Sequence, residues 1–156
     1  MQFSEGSLID ASPERVFAAL ADPEGWPRRI PSITRVEVVG HEPVGIGTQF
    51  RETRIMNGKA ETLTMTISEM VPPEHLVFTA HAHGSDLVAS HHLQAQEQGT
   101  MLHVSMEMTP RTLLARLAMA LSFVLAPLIR KQLRDDLTAL KASIESEARA
   151  ADMGTA

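Results

Sequence analysis

Cysteine and tyrosine are absent from this sequence of 156 residues, and aromatic residues contribute only 4% of it. Without cysteine, the chain cannot form a disulfide, a thiol nucleophile or a thiolate metal site. Without tyrosine, it has no phenol for acid–base catalysis. Basic residues are also scarce, with 14 lysines and arginines against 19 aspartates and glutamates. Because a protein that wraps a nucleic acid needs a concentrated basic face, we expect no nucleic-acid partner.

The length and the composition fit one ordinary globular domain. Hydrophobic residues make up 44% and charged residues 21%, and a single core commonly serves about 100 to 200 residues. The first ten residues include acidic side chains, whereas a secretory signal begins with basic residues and continues with an apolar run. The sequence therefore predicts one domain over residues 1–148, a disordered tail over 149–156 and a cytoplasmic location.

The first part of the chain combines strands with short helices. A strand is predicted over residues 3–9. Ser12, followed by a proline, is a good helix N-cap and predicts a helix over 13–21. Three prolines in the segment 23–31 permit only short helical turns there. A second strand is predicted over 33–41.

From residue 47 onward, apolar residues recur at every second position, with turn residues between the runs. This pattern is typical of an antiparallel meander. Five strands are predicted, over residues 47–56, 59–70, 76–83, 86–96 and 100–108.

Beyond residue 112 the apolar period becomes helical. One straight helix over 112–148 would measure about 55 Å at 1.5 Å per residue, whereas a chain of this length folds to a radius of gyration of about 15 Å. Pro127 lacks a backbone donor and disfavours a helical conformation at the residue before it. The sequence therefore predicts a break at Pro127, with a helix of about 33 Å after it.

Three segments carry a resemblance to a known superfamily. They are residues 11–17 (Ala-Ser-Pro-Glu-Arg-Val-Phe), 26–33 (Trp-Pro, then Ile-Pro-Ser-Ile) and 45–50 (Gly-Ile-Gly-Thr-Gln-Phe). Together with the order of elements, they make residues 3–146 resemble the START-like superfamily, also called SRPBCC. The resemblance implies an α+β helix-grip fold, as in the birch pollen allergen. In that fold a curved, seven-stranded antiparallel sheet wraps around a long C-terminal helix, and two short helices lie between strands 1 and 2.

The same resemblance implies an apolar cavity, between the sheet and the long helix, that receives a hydrophobic small molecule or a lipid. The superfamily includes carriers as well as cyclases, so the fold leaves the activity open. Our first prediction is a non-catalytic binding protein without a cofactor. The alternatives are a polyketide cyclase or dehydratase that uses the same cavity, and a membrane-surface or interaction protein that acts through the apolar residues 113–129.

The side chains that face this cavity follow from the hairpin register, because opposed residues across a two-residue turn have a constant sum. Turns are predicted at Asn57–Gly58, Gly84–Ser85 and Gln98–Gly99. The candidate ligand contacts are Phe50, Glu52, Arg54, Leu63, Met65, Phe78, Ala80, Ala89, His91, Leu93, Val104 and Met106, together with Trp26 from the proline-rich segment.

The polar candidates have alternative roles. Arg54 either pairs with Glu61 across the hairpin or orients a ligand at the cavity mouth. His91 is either a satisfied core residue or the polar point that orients a ligand, and Trp26 either plugs the cavity or stacks on the ligand. In an enzyme, the catalytic groups would be Glu52, Arg54 or His91, because the other inward side chains cannot exchange protons.

Four further histidines, at positions 81, 83, 92 and 103, fall on the opposite, solvent-facing side of adjacent strands. A catalytic zinc needs three ligands at about 2 Å inside a walled site. An exposed row of histidines offers no such wall, and no metal site is predicted.

Residues 113–129 are apolar on nearly every side of a helix. A membrane span needs about 20 apolar residues, and this run is shorter and contains Arg116. A helix that is apolar all round must be covered all round, and one sheet covers only one side of it. The additional cover is a second copy of the chain, a bilayer surface, or the monomer itself if the segment folds back as a lid.

Overall fold

The computed structural model describes residues 1–154. Seven strands form one antiparallel sheet in the order β1-β7-β6-β5-β4-β3-β2, which confirms the predicted α+β helix-grip fold. The strands are β1 Gln2–Ile9, β2 Ile33–Val39, β3 Gln49–Met56, β4 Lys59–Val71, β5 His75–Ala82, β6 Ser85–Gln96 and β7 Gly99–Pro110.

The two short helices predicted between β1 and β2 are present, and two more follow β7. The helices are α1 Pro13–Leu20, α2 Trp26–Arg29, α3 Leu113–Ala120 and α4 Ala126–Gly154, with 3₁₀ turns at Pro23–Gly25 and Ser122–Val124. Hydroxyl side chains cap two of the helix N-termini. Ser12 Oγ accepts a hydrogen bond from the Arg15 N–H at 3.3 Å, and Thr112 Oγ1 accepts one from the Ala115 N–H at 3.1 Å.

The hairpin register decides which side chains face α4. Across Asn57–Gly58, the predicted pairs form, and both turn residues have the positive φ that a type I′ turn requires. The other two turns lie one residue earlier than predicted, at His83–Gly84 and at 97–98. Every pair in those hairpins is therefore displaced by two residues. Because side chains alternate with a period of two, the inward face is unchanged.

α4 covers one face of the sheet, which we call the concave face. The buried residues of α4 recur at helical spacing and pack in one core with apolar side chains of the strands. They are Leu133, Leu137, Leu140, Ile144 and Ala148.

The break between the C-terminal helices comes earlier than Pro127. α3 ends at Ala120, and a 3₁₀ turn separates it from α4, whose first turn contains the proline. The first helical turn tolerates proline because its N–H groups have no partner inside the helix. Pro127 therefore favours the start of α4, and the break between α3 and α4 lies before the proline.

α4 is also longer than expected, with 29 residues and a length of about 43 Å at 1.5 Å per residue. It continues through residues 149–154, which the sequence predicts as the start of a disordered tail. Alanine favours helix here, and Arg15 of α1 lies 3.7 Å from Asp152 in an ion pair. The last two residues of the predicted tail, 155 and 156, lie outside the described residues.

Candidate functional site

Three aromatic rings meet in the middle of the concave face. Trp26 contacts Phe50 and Phe78 with centroids 5.2 and 5.4 Å apart, and the two phenylalanines lie 5.6 Å apart. All three pairs are edge-to-face, a favourable aromatic geometry. The Trp26 indole N–H donates to the Ala19 carbonyl at 3.2 Å. These buried rings occupy space that the resemblance assigns to a cavity.

The other apolar candidates also lie on the concave face. Some are buried in the core, and the others are half-buried and pack against it. The buried ones are Met65, Ala89, Leu93 and Val104, and the half-buried ones are Leu63, Ala80 and Met106.

A charged cluster lies where α4 crosses β3. The Arg54 guanidinium donates to Glu52 Oε1 at 2.5 Å and to Asp136 Oδ2 at 2.8 Å. The second Asp136 oxygen accepts from Ser32 Oγ and from Gln132 Nε2, both at 2.7 Å. Glu52 is only 6% exposed. Each carboxylate therefore has a charged partner in a site that is largely shielded from water.

This cluster replaces the Arg54–Glu61 pair that the register predicts. Glu61 is opposite Arg54 on β4, but its ion-pair partner is His83, at 3.7 Å. Burial by itself lowers the pKa of Arg54, but the charges of Glu52 and Asp136 and their hydrogen bonds outweigh this effect and raise it. Arg54 is therefore a fixed cation and cannot act as a proton donor.

Sequence reasoning missed Asp136, although a signal was present. Asp136 follows Leu133 by three positions and precedes Leu140 by four, so it lies within the apolar stripe of α4. A carboxylate in such a stripe needs a charged or hydrogen-bonding partner. Arg54 and Ser32 supply both kinds of partner.

His91 is the second polar feature of the concave face. It lies opposite Leu76 on β5 and Val104 on β7, and its ring meets Phe78 edge-on with centroids 5.4 Å apart. The Nδ1 atom is shielded from solvent and has no hydrogen-bond partner among the described residues. Burial lowers the pKa of His91 to about 4, although a backbone hydrogen bond of the ring with Leu76 acts in the opposite direction, so the imidazole is neutral at pH 7.

The charged cluster and His91 lie at opposite ends of the concave face. Phe50 is aligned with Leu87 through successive cross-strand pairs. Glu52 lies two residues to one side of this row and His91 four residues to the other. Six residues along a strand correspond to about 20 Å. The three titratable candidates therefore do not form one catalytic site.

The shielded imidazole predicts a specific pH dependence of stability. The pKa of His91 is about 4 in the folded protein, whereas an unfolded histidine titrates near 6.5. Between these values the unfolded chain binds the extra proton, so the free energy of unfolding falls as the pH is lowered. Between pH 7 and pH 4, we expect the free energy of unfolding of the wild type to fall by on the order of 2 kcal/mol more than that of the His91→Leu variant. Urea denaturation at each pH measures this, and equal losses would show that the imidazole is solvated.

The histidines on the outer face do not converge. The predicted set omitted His75, whose ring is tilted by 37° against that of His92 with centroids 4.3 Å apart and whose Nε2 lies 2.7 Å from Glu69. The His81 ring lies within hydrogen-bond distance of Asp86 and takes no part in the contact between His75 and His92. Within residues 1–154, no three histidine, aspartate or glutamate side chains are grouped so that they could hold a metal ion.

An open depression of about 600 Å³ lies at the end of the sheet near His91. The N-terminal turn of α1, the β4–β5 turn and the β6 strand surround it. Its walls include Pro13, Pro73, His75 and Leu93. Leu93 belongs to the core and lies two residues from His91, so the depression adjoins the concave face from outside.

A curved sheet that grips a long helix around an apolar interior, with a few inward polar side chains, defines a protein of the helix-grip class. The chain belongs to the family described as polyketide cyclase / dehydrase and lipid transport, whose model matches residues 2–145. No curated protein sequence gives a significant match.

Several solved structures share the fold at low sequence identity. The Zhui aromatase/cyclase from Streptomyces sp. R1128 is 18% identical, with a TM-score of 0.79 and 97% of each chain covered. The di-domain aromatase/cyclase StfQ of the steffimycin biosynthetic pathway is 16% identical, with a TM-score of 0.74 over 94% of this chain and 52% of StfQ. Ara h 8.0201 is 18% identical, with a TM-score of 0.68 over 94% of this chain and 98% of its own.

Proposed function

We propose that the protein binds a hydrophobic small molecule or a lipid against the concave face, without catalysing a reaction on it. The unpartnered Nδ1 atom of His91 is the observation that carries this proposal. A buried polar atom without a hydrogen bond costs about 1 to 3 kcal/mol. A hydroxyl, amide or acid group on an otherwise apolar ligand would relieve that cost and fix the orientation of the ligand.

Such a ligand enters only if the aromatic rings move. Trp26 is the mobile candidate because its segment, residues 23–29, consists of short helical turns, whereas Phe50 and Phe78 belong to paired strands. The open depression lies beside Leu93, two residues from His91 along β6. In the proposed complex, the polar group of the ligand meets His91 and its apolar part replaces the contacts of Trp26.

Native mass spectrometry of the gently purified protein tests this function. We expect an added mass from a co-purifying small molecule, or a raised melting temperature with members of a panel of lipids and polyketides, because a ligand that binds only the folded state stabilises it. A clean apo mass together with no thermal shift across the panel would contradict the proposal.

Substitution of His91 tests the polar contact. His91→Leu keeps a similar apolar volume and removes the ring nitrogens, so we expect the fold to survive and the affinity for ligands with a polar end to fall about tenfold. Thermal titration with ligand pairs that differ in this group measures the loss. His103→Leu, on the exposed outer face, is the control. An equal effect of both substitutions would remove His91 from the site.

A second candidate function is that of a cyclase or dehydratase. It is favoured by the Glu52–Arg54–Asp136 cluster, because a fixed cation held between two carboxylates on the concave face can bind and polarise a carbonyl group. A turnover assay with polyketide substrates, made with Glu52→Gln, Arg54→Lys and His91→Leu, tests this function. Activity that survives all three substitutions would exclude these residues as the catalytic groups.

A further inference from the structure

Large apolar side chains of α3 and of its link to α4 face the solvent. We call residues 113–128 the apolar segment. Its exposed members have between 48% and 83% of their surface accessible, and a contiguous exposed patch of this kind marks an interaction site. They are Leu113, Leu114, Leu117, Leu121, Phe123, Val124, Leu125 and Leu128.

The fold holds this segment in its exposed position. The Gly84 carbonyl accepts hydrogen bonds from the backbone of Arg111 and Thr112 just before α3. On the inner side, Ala115 is buried, and Met119 and Ser122 contact Met1 through sulfur hydrogen bonds of 3.9 Å. The segment therefore turns a narrow face to the protein and a broad apolar face to the solvent.

The concave face offers no place for the segment as a lid. Trp26, Phe50 and Phe78 fill its middle, and α4 covers it with a stripe of buried side chains. Folding the segment inward would also break its contacts with Met1 and Gly84. The occupant of the exposed face must therefore come from outside the monomer.

The distribution of charge distinguishes between the two possible external partners, a second copy of the chain and a bilayer surface. Residues 111–134 contain five basic residues and no acidic one, while the rest of the chain contains 9 basic and 19 acidic residues. Three of the five form ion pairs with acidic residues outside this range, Arg111 with Asp86, Lys131 with Asp135 and Arg134 with Glu5. Arg116 makes no ion pair with any residue in the range 1–154, and Arg130 lies over the Phe3 ring at 5.8 Å. Two copies paired through this face would bring together the Arg116 and Arg130 of each copy, which are unpaired within the described residues. A negatively charged surface would attract the same two arginines.

We propose that the apolar segment docks the protein onto the surface of an anionic lipid bilayer. The leucines and Phe123 enter the boundary between headgroups and acyl chains, to a depth of about 5 to 10 Å. Arg116 and Arg130 meet lipid phosphates. No helix within the described residues is long and apolar enough to cross a membrane, so the contact is peripheral. This inference is independent of what the concave face binds.

Co-sedimentation with vesicles tests the proposal. We expect the protein to pellet with vesicles of phosphatidylcholine mixed with phosphatidylglycerol, to pellet less with phosphatidylcholine alone, and to be released by added salt. Without vesicles, it should sediment as a monomer. His91→Leu should bind vesicles normally, which separates this result from the proposed ligand function.

Paired substitutions identify the surface that binds. Leu117→Ser with Phe123→Ser removes two exposed apolar contacts and should weaken vesicle binding by about 100-fold or more. Arg116→Gln with Arg130→Gln should weaken binding to anionic vesicles roughly 30-fold. Ile46→Ser with Val71→Ser, which removes apolar side chains that are 70% and 50% exposed elsewhere, should change nothing. All three double variants should keep the wild-type melting temperature within a few degrees, because the altered side chains lie at the surface.

Three results would overturn the proposal. The first is absence of binding to both kinds of vesicle. The second is vesicle binding that the Leu117→Ser, Phe123→Ser protein retains. The third is a concentration-dependent dimer that the same double substitution dissociates, since the face would then be occupied by a second copy of the chain.

Discussion

Replacing Trp26 by alanine is expected to lower the free energy of unfolding by about 3 to 5 kcal/mol, the usual cost of deleting a buried aromatic side chain. The indole is 6% exposed and contacts both Phe50 and Phe78 edge-on. Its removal also leaves the Ala19 carbonyl without the indole N–H. Two losses therefore add, one of packing and one of a buried hydrogen bond.

Chemical denaturation of Trp26→Ala, followed by circular dichroism, measures this loss. Phe123→Ala removes an aromatic ring that is exposed and should change stability by less than about 0.5 kcal/mol. The vacated volume should also admit an apolar probe between the sheet and α4, as engineered apolar cavities do. A loss below about 1 kcal/mol would show that the segment around Trp26 is already displaced from the core in solution.

The strand pattern was predictable from the sequence because alternation is a local property. Two turns form one residue earlier than predicted, which displaces the cross-strand pairs of those hairpins by two residues. Because side chains alternate with a period of two, the same side chains still lie on the concave face. Asn57–Gly58 needed no correction, since its turn type is specified by the two residues themselves. The candidates from Phe50 to Met106 therefore lie on the predicted face.

The content of the space between sheet and helix was not predictable in the same way. Whether that space is open or filled depends on how Trp26, from a segment without a regular period, packs against Phe50 and Phe78. The partner of Arg54 likewise depends on the position of α4 over β3, which brings Asp136 within 2.8 Å. The position of Trp26 and the partner of Arg54 both depend on packing between elements that are distant in sequence, and the register of the strands determines neither.

Replacing Arg54 by methionine is expected to destabilise the protein by about 2 to 4 kcal/mol, because removing one partner of a shielded ion pair leaves the other charges uncompensated. Methionine retains the aliphatic stem, so the loss reports the charge rather than the packing. Glu52 and Asp136 would then be two carboxylates without a cation in a site with little water. Arg51→Met, at an exposed arginine on the same strand whose partner Glu37 is 3.7 Å away, should cost less than about 1 kcal/mol.

The triple variant Glu52→Leu, Arg54→Met, Asp136→Leu decides whether the cluster exists for stability. Well-packed apolar replacements of a whole buried ionic cluster are often neutral or stabilising by about 1 to 4 kcal/mol. We therefore expect the triple variant to recover most of the stability that Arg54→Met loses, as measured by urea denaturation. Recovery would mean that the fold does not require these charges. A triple variant less stable than Arg54→Met would show instead that Ser32 and Gln132, left without their acceptor, make the network a structural element of the fold.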